Sequence, residues 1–121
     1  MATILVVDDS ASMKKMVTFT LQSAGHTIVE ADNGAAALAI AQKQATDLVL
    51  TDVNMPQMNG IELCKKLRSL PNYKFTPVLM LTTESGMDQK SAGKEAGATG
   101  WIVKPFNPDQ LLKTVSKVLS R

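Results

Sequence analysis

Polar side chains able to do chemistry follow four apolar runs in this chain. Asp8-Asp9 follows Ile4-Leu5-Val6-Val7, and Asp52 follows Leu48-Val49-Leu50-Thr51. Thr82 follows Val78-Leu79-Met80-Leu81, and Lys104-Pro105 follows Trp101-Ile102-Val103. Three carboxylates, a hydroxyl and an ammonium brought into one crevice suit a divalent cation and a phosphoryl group. Mg²⁺ takes oxygen ligands and keeps several waters, so one or two carboxylates and a substrate phosphate are its usual company. Asp8, Asp9 and Asp52 could supply the carboxylates, and the backbone carbonyl of Asn54 a further ligand. The cation would relieve repulsion among the carboxylates and neutralise charge on a transferring phosphoryl group, for which positioning and electrostatics are most of the catalysis. Asp52 is the candidate nucleophile, because carboxylates form acyl phosphates. Lys104 can pair with phosphoryl oxygens as a point charge, and Thr82 can donate a hydroxyl hydrogen bond.

Each mark taken alone has a plainer explanation. An Asp-Asp pair at the start of a helix is favoured by the helix dipole. A single aspartate after a strand is more often a turn residue than a nucleophile. Lys104 could be a structural ion-pair partner of the same carboxylates, and Thr82 alone carries little information. Only the four marks together, each at the end of an apolar run, favour a site.

The elements that must position them alternate along the chain. Thr3 to Val7 is an apolar run too short for a helix and reads as a buried strand. Ser10 is an N-cap for a helix with Met13, Met16, Val17, Thr20 and Leu21 at helical spacing, ended by Gly25. Thr27 to Ala31 is a second strand, and Asn33-Gly34 opens an alanine-rich helix to about Gln44. Asp47 to Thr51 is the third strand. A loop from Asp52 to Gly60 leads to a helix with Ile61, Leu63, Cys64 and Leu67 on its apolar side, closed by Pro71. Pro77 starts the fourth strand, where a proline forfeits no ladder bond. Met87 to Ala96 reads as a thin helix with an internal Gly93, and Thr99 to Val103 as the fifth strand. Asn107-Pro108 then caps a last helix striped by Leu111, Leu112, Val115, Val118 and Leu119. Five strands alternating with five helices predict a doubly wound parallel α/β sheet, since crossovers of this kind are right-handed and place helices on both faces. In such a sheet the carboxyl ends of the strands converge on the edge where ligands bind.

The totals exclude several classes. At 121 residues and 45% hydrophobic content the chain is expected to be one globular domain spanning residues 1–121, with no output domain attached. A net charge of +2 with scattered lysines gives no case for nucleic acid. Cys64 is the single cysteine, so no intrachain disulfide can form and a reducing, cytoplasmic setting is expected. No apolar stretch approaches a membrane span, and no basic n-region of a signal peptide is visible. Cys64 is read as core, and His26, after Gly25, as a surface residue.

With V-V-D-D-S at 6–10, T-D-V-N-M-P-Q-M-N-G at 51–60, L-T-T-E at 81–84 and K-P-F at 104–106 in order and spacing, the chain resembles the receiver domain of two-component response regulators over essentially its whole length. Within that family it is similar to the free-standing, CheY-like chemotaxis regulators. The resemblance implies the flavodoxin-like strand order 2-1-3-4-5, the order of CheY itself. It implies that Asp52 accepts a phosphoryl group from a CheA-like histidine kinase, and that Asp9, Asp52 and the Asn54 carbonyl ligate Mg²⁺ (or Mn²⁺) directly. Asp8 would act mostly through water. Thr82 and Lys104 would hold the phosphoryl oxygens, and the Lys104-Pro105 peptide would be cis. Thr82 would move toward the phosphoryl group while the aromatic position of the fifth strand turns inward. That position is Trp101 here, where tyrosine or phenylalanine is commoner. Asn54 and Glu84 would tune the lifetime of the acyl phosphate.

The implied role is a diffusible, monomeric switch and not an enzyme acting on other molecules. Its face of thin helix, fifth strand and last helix would bind a target, foremost the flagellar motor switch protein, and a phosphatase is a further expected partner. A phosphate sink, a phosphorelay intermediate and a pilus-motility regulator remain alternatives. A metal-dependent aspartyl-phosphate phosphatase is disfavoured, because it commonly has an acid/base aspartate where this chain has Asn54. A flavodoxin is disfavoured because two aspartates replace the phosphate-binding loop after the first strand.

Overall fold

Short runs of branched apolar residues, each bounded by a turn and a capped helix, set the architecture. The computed structural model describes residues 2–55, 57–83, 94–104 and 106–120. The strands are β1 (Thr3–Val7), β2 (Thr27–Ala31), β3 (Leu48–Asp52), β4 (Val78–Thr83) and β5 (Gly100–Lys104). All neighbours pair in parallel in the order β2-β1-β3-β4-β5, as expected. The helices among the described residues are α1 (Ala11–Ser23), α2 (Gly34–Lys43), α3 (Gly60–Arg68) and α4 (Pro108–Leu119). The predicted helix from Met87 to Ala96 lies outside the described residues up to position 93, and Lys94 and Glu95 are helical.

Every one of the four helices starts on a side chain that accepts a backbone N–H: Ser10 from Met13, Asn33 from Ala36, Asn59 from Glu62 and Asn107 from Gln110. Asn59 and Glu62 form a reciprocal capping box, at 2.8 and 3.1 Å. The period of two in each strand divides the core into two layers. Leu5, Val7, Val49, Val78 and Met80 face α2 and α3 through Ala37, Ala41, Leu63, Cys64 and Leu67. Ile4, Val6, Leu48, Leu50, Leu79, Leu81 and Ile102 face α1 and α4 through Val17, Leu21, Leu111 and Val115. All five residues of β3 are buried.

Strands three and five are shifted by one residue from their expected bounds, so Asp52 and Lys104 are the last residues of their strands instead of the first after them. Their backbones are thereby fixed by ladder pairing, Asp52 with Leu81 and Lys104 with Thr83. Pro71 does not simply close α3. It opens a 3₁₀ turn, Pro71–Tyr73, that buries Tyr73 completely, with its hydroxyl donating to the Gln44 carbonyl at 2.6 Å.

In the loop after β3, Gln57 holds a left-handed backbone, φ 69°. A residue with a Cβ is strained there by roughly 1–2 kcal/mol, from which glycine's greater unfolded-state entropy subtracts about 0.5–1 kcal/mol. Gln57→Gly is therefore expected to raise stability by about 0.5–1 kcal/mol. An upward shift of the urea midpoint at constant m-value would show it, and a downward shift would refute it.

Candidate phosphoryl and metal site

β1 and β3 are adjacent and parallel, with Val7 opposite Thr51, so Asp8 and Asp52 emerge side by side at one edge. Asp9 follows Asp8 into the turn before α1. One carboxylate oxygen from each of Asp8, Asp9 and Asp52 lies within 4.8 Å of the others. Asp8 and Asp52 are buried and Asp9 is exposed, so the cluster opens to solvent on one side. From β5, the Lys104 ammonium reaches Asp52 Oδ1 at 3.2 Å, with both side chains mostly buried. Thr82, buried near the end of β4, stands on the strand between Asp52 and Lys104. The structure thus brings together Asp8, Asp9, Asp52 and Lys104, with Thr82 on the intervening strand.

Asp8 carries the electrostatic strain of the cluster. Its Oδ1 accepts the Ser10 N–H at 2.9 Å, whereas Oδ2 is buried with no hydrogen-bond partner among the described residues. Burial pushes the Asp8 carboxyl above the usual carboxylate range. The Ser10 N–H opposes this, the Asp52 charge adds to it, Lys104 opposes it and Asp9 adds to it. A buried, unpartnered carboxylate oxygen beside two further carboxylates is a donor set suited to a hard divalent cation. Such a cation would satisfy that oxygen and remove the repulsion.

Since the folded state holds the Asp8 proton more tightly than the unfolded chain, the metal-free protein loses stability as pH rises from the ordinary carboxylate range through the raised value. Asp8→Asn removes the charge that causes this. It is expected to stabilise the metal-free protein at neutral pH by about 1–3 kcal/mol, the scale of one unsatisfied buried acceptor, and to flatten the pH dependence. Added Mg²⁺ should then stabilise the variant far less than the parent. Thermal melts across pH, with and without Mg²⁺, measure both effects. An unchanged or lowered metal-free midpoint would contradict the reading of Asp8.

The loop that follows Asp52 is held tightly. Gly60 N–H donates to the Val53 carbonyl at 2.9 Å, and Val53 N–H to the Leu81 carbonyl at 3.1 Å. A Cβ placed on Gly60 would stand 2.3 Å from the Asp52 carbonyl oxygen. Asn54 is exposed in this loop, and Met55 is buried beneath it. Met58 packs on the start of α2, where a Cβ on Gly34 would meet its sulfur at 2.8 Å.

Trp101 is half-buried and packs on the α2/α3 layer of the core. It pairs with Met80, two residues before Thr82, so Trp101 and Thr82 project to the same face of neighbouring strands. Glu84 and Pro105, and with Pro105 the expected cis peptide, lie outside the described residues. Cys64 is buried in the core as expected, its thiol pushed up by burial. His26 departs from its surface reading. It is half-buried, and its Nδ1 accepts the Ala2 N–H at 3.4 Å. It lines a cleft of about 880 Å³ at the amino edge of the sheet, beside Ala2, Asp47 and Pro77, which contains none of the site residues.

The response regulator receiver domain family matches residues 4–116, and the chain belongs to that family. The fold and the acidic pocket are those of a receiver, the signalling switch of two-component systems, in which such a pocket binds Mg²⁺. The chain is 54% identical to the chemotaxis protein CheY4 of Vibrio cholerae, whose solved structure superposes with a TM-score of 0.93 over 98% of each chain. It is 40% identical to a chemotaxis protein CheY homolog of Campylobacter jejuni, over 96% of this chain and 91% of that protein. It is 36% identical to protein PilH of Pseudomonas aeruginosa, over 99% of each. No described helix is long and apolar enough to cross a membrane.

Proposed function

We propose that Asp52 is the phosphoacceptor of a response regulator whose output is chemotactic control of a flagellar motor. The observation that carries the acceptor assignment is the position of its carboxylate, in contact with the Lys104 ammonium on one side and clustered with Asp8 and Asp9 on the other. An Asp52 oxygen attacks the phosphorus of the kinase's phosphohistidine. The P–N bond breaks, its electron pair leaves with the imidazole, and an acyl phosphate forms on Asp52. Lys104 exchanges its carboxylate partner for a phosphoryl oxygen, and Thr82 donates its hydroxyl to another. Asp9, Asp52 and the Asn54 carbonyl would hold Mg²⁺ directly and Asp8 through water. The cation supplies positive charge to the transferring group. Exposed Asn54 and, beyond the described residues, Glu84 would flank the phosphoryl group and set its lifetime.

The modified and unmodified forms differ at Thr82 and Lys104, and Trp101 lies on the adjoining strand and face. A target that prefers one arrangement shifts the population toward it. A labelled N-terminal peptide of the flagellar switch protein should bind more tightly when Mg²⁺ and beryllofluoride, a phosphoryl mimic, are present. Asp52→Asn should abolish the tightening. A second reading, a non-flagellar target or a phosphate-sink or relay role, draws on the similarity to PilH, a relative not named for chemotaxis. Asp52 loading without any peptide binding would favour it.

A further inference from the structure

The guanidinium of Arg68, the last residue of α3, makes four hydrogen bonds to three backbone carbonyls. Nε and Nη2 both donate to Gly97, at 3.2 and 2.7 Å. Nη1 donates to Tyr73 at 2.7 Å and to Thr76 at 2.5 Å. Gly97 is left-handed, φ 98°, and a Cβ there would stand 3.0 Å from Arg68 Nε. The fork thus fits against bare backbone. One turn earlier in α3, Cys64 Sγ lies 3.4 Å from the Ala96 carbonyl. Thr99 completes the attachment, donating its N–H to the Val78 carbonyl at 2.8 Å while its hydroxyl accepts the Val78 N–H at 3.0 Å. The stretch from Ala96 to Thr99, which leads into β5, is therefore tied to α3 and β4 by backbone groups.

β5 needs such a tie. Among the described residues it is an edge strand, paired with β4 alone, and a strand with a ladder on one side resists sliding less than one paired on both. It carries Trp101 as its second residue, near the amino end, and Lys104 at its carboxyl end, where the ammonium is bound to Asp52. Loading of Asp52 changes the partner of Lys104 and pulls on that end. A strand free at its amino end would absorb the pull by slipping or fraying. A strand pinned there must absorb it within its own length, where Trp101 sits.

We propose, resting on the phosphoacceptor reading of Asp52, that Arg68 is a positioning residue of the switch. It pins the amino end of β5 to α3, so that a change at Lys104 is expressed at Trp101. Arg68 touches neither Asp52 nor the cation cluster in this role. It governs how much of the loading event reaches the far end of the strand, and leaves the loading chemistry to the site.

Trp101 is the one tryptophan of the chain and reports directly. The experiment compares parent, Arg68→Lys and Arg68→Ala as full-length proteins. It records Trp101 emission and iodide quenching with Mg²⁺, before and after beryllofluoride. Loading of Asp52 by acetyl phosphate is followed in parallel by intact mass. Both variants should load at close to the parental rate, while the beryllofluoride-linked change in Trp101 emission falls at least about twofold in Arg68→Ala and less in Arg68→Lys, in line with the usual size of coupling effects. Trp101 should also be more open to quenching in the unloaded variants. A folded, loaded Arg68→Ala with an undiminished Trp101 response would overturn the proposal, whatever its loss of stability. If Arg68→Ala fails to fold, Arg68→Lys decides by the same criterion. A parent that loads but shows no Trp101 response also overturns the proposal. A parent that does not load at all overturns the phosphoacceptor reading beneath it, and is recognised before any variant is compared.

Discussion

Asp52→Asn is expected to abolish Mg²⁺-dependent covalent loading by small phosphodonors, so that the protein no longer gains the mass of one phosphoryl group. The effect should be total, not graded, because the amide lacks an anionic oxygen to attack phosphorus, and neither neighbouring carboxylate can replace it. Asp8 is committed through Oδ1 to the Ser10 N–H, and Asp9 stands on the exposed rim. Lys104 contacts Asp52. The substitution also withdraws one negative charge from the cluster, so Lys104 loses its ion pair while Asp8 loses a repelling neighbour. These act in opposite directions on stability, and the fold should survive. Intact-mass analysis after acetyl phosphate treatment is the measurement. A residual phosphoryl adduct of parental yield would place the acceptor elsewhere.

The second large effect is expected at Gly60. A methyl group there would meet the Asp52 carbonyl oxygen at 2.3 Å, with the Asp52 carbonyl carbon and Val53 Cα both at 3.1 Å. None of these atoms belongs to a flexible side chain. The Asp52 carbonyl must move, and Asp52 is a ladder residue of a wholly buried strand. Gly60→Ala should therefore cost about 2–3 kcal/mol, the upper part of the range for overpacking, and should slow loading of Asp52 by displacing its backbone. Gly34→Ala is the informative contrast. Its new methyl meets Met58 Sδ at 2.8 Å and Cγ at 3.0 Å, which can rotate away, and Cβ at 3.0 Å, which needs only a small shift of a loop residue and not of a ladder strand. Its cost should be clearly smaller and its loading rate close to parental. Urea titrations and loading time courses on the two variants test the pair. Equal effects at both glycines would mean that crowding of the Asp52 backbone is not the cause.

The expectations met by the structure rest on local signals. β1 and β2 have the bounds that their apolar runs indicated, and the caps Ser10, Asn33 and Asn107 sit where the side-chain types placed them. What escaped sequence reasoning depends on partners distant along the chain. The one-residue shifts of β3 and β5 are decided by pairing with Leu81 and Thr83, because a polar residue joins a strand when its neighbour offers a ladder partner. Nothing in the residues next to Tyr73 marks it for burial. Its burial is explained by Gln44 and Thr46, which satisfy its hydroxyl from a different part of the chain. Arg68 stands at a helix carboxyl end, where a cation is common for reasons of the helix dipole alone. Gly97, the residue that makes it a clamp, could have been suspected only as a turn glycine.

The candidate site was legible for a different reason. Its members fall at strand ends, and a parallel sheet collects those ends on one edge wherever the intervening helices lie. Asp8, Asp9, Asp52 and Lys104 could thus be assigned to one crevice before any helix was placed. Repulsion among the carboxylates follows from their grouping alone, but the orphaned Asp8 oxygen could not be foreseen, because it depends on how deeply β1 is buried.

The sheet order carries a consequence for the chain during synthesis. β1 pairs with β2 and β3, so the first three strands are neighbours and their ladder needs nothing beyond Asp52. The three carboxylates of the site all belong to this first portion. The hydroxyl and the ammonium arrive with β4 and β5, which add outward to one side of β3. On the ribosome, the acidic half of the centre is complete in sequence before the half that answers it has been translated. The emerging chain therefore sets three carboxylates at one edge of the sheet before Lys104, the ammonium that contacts Asp52 there, has been made.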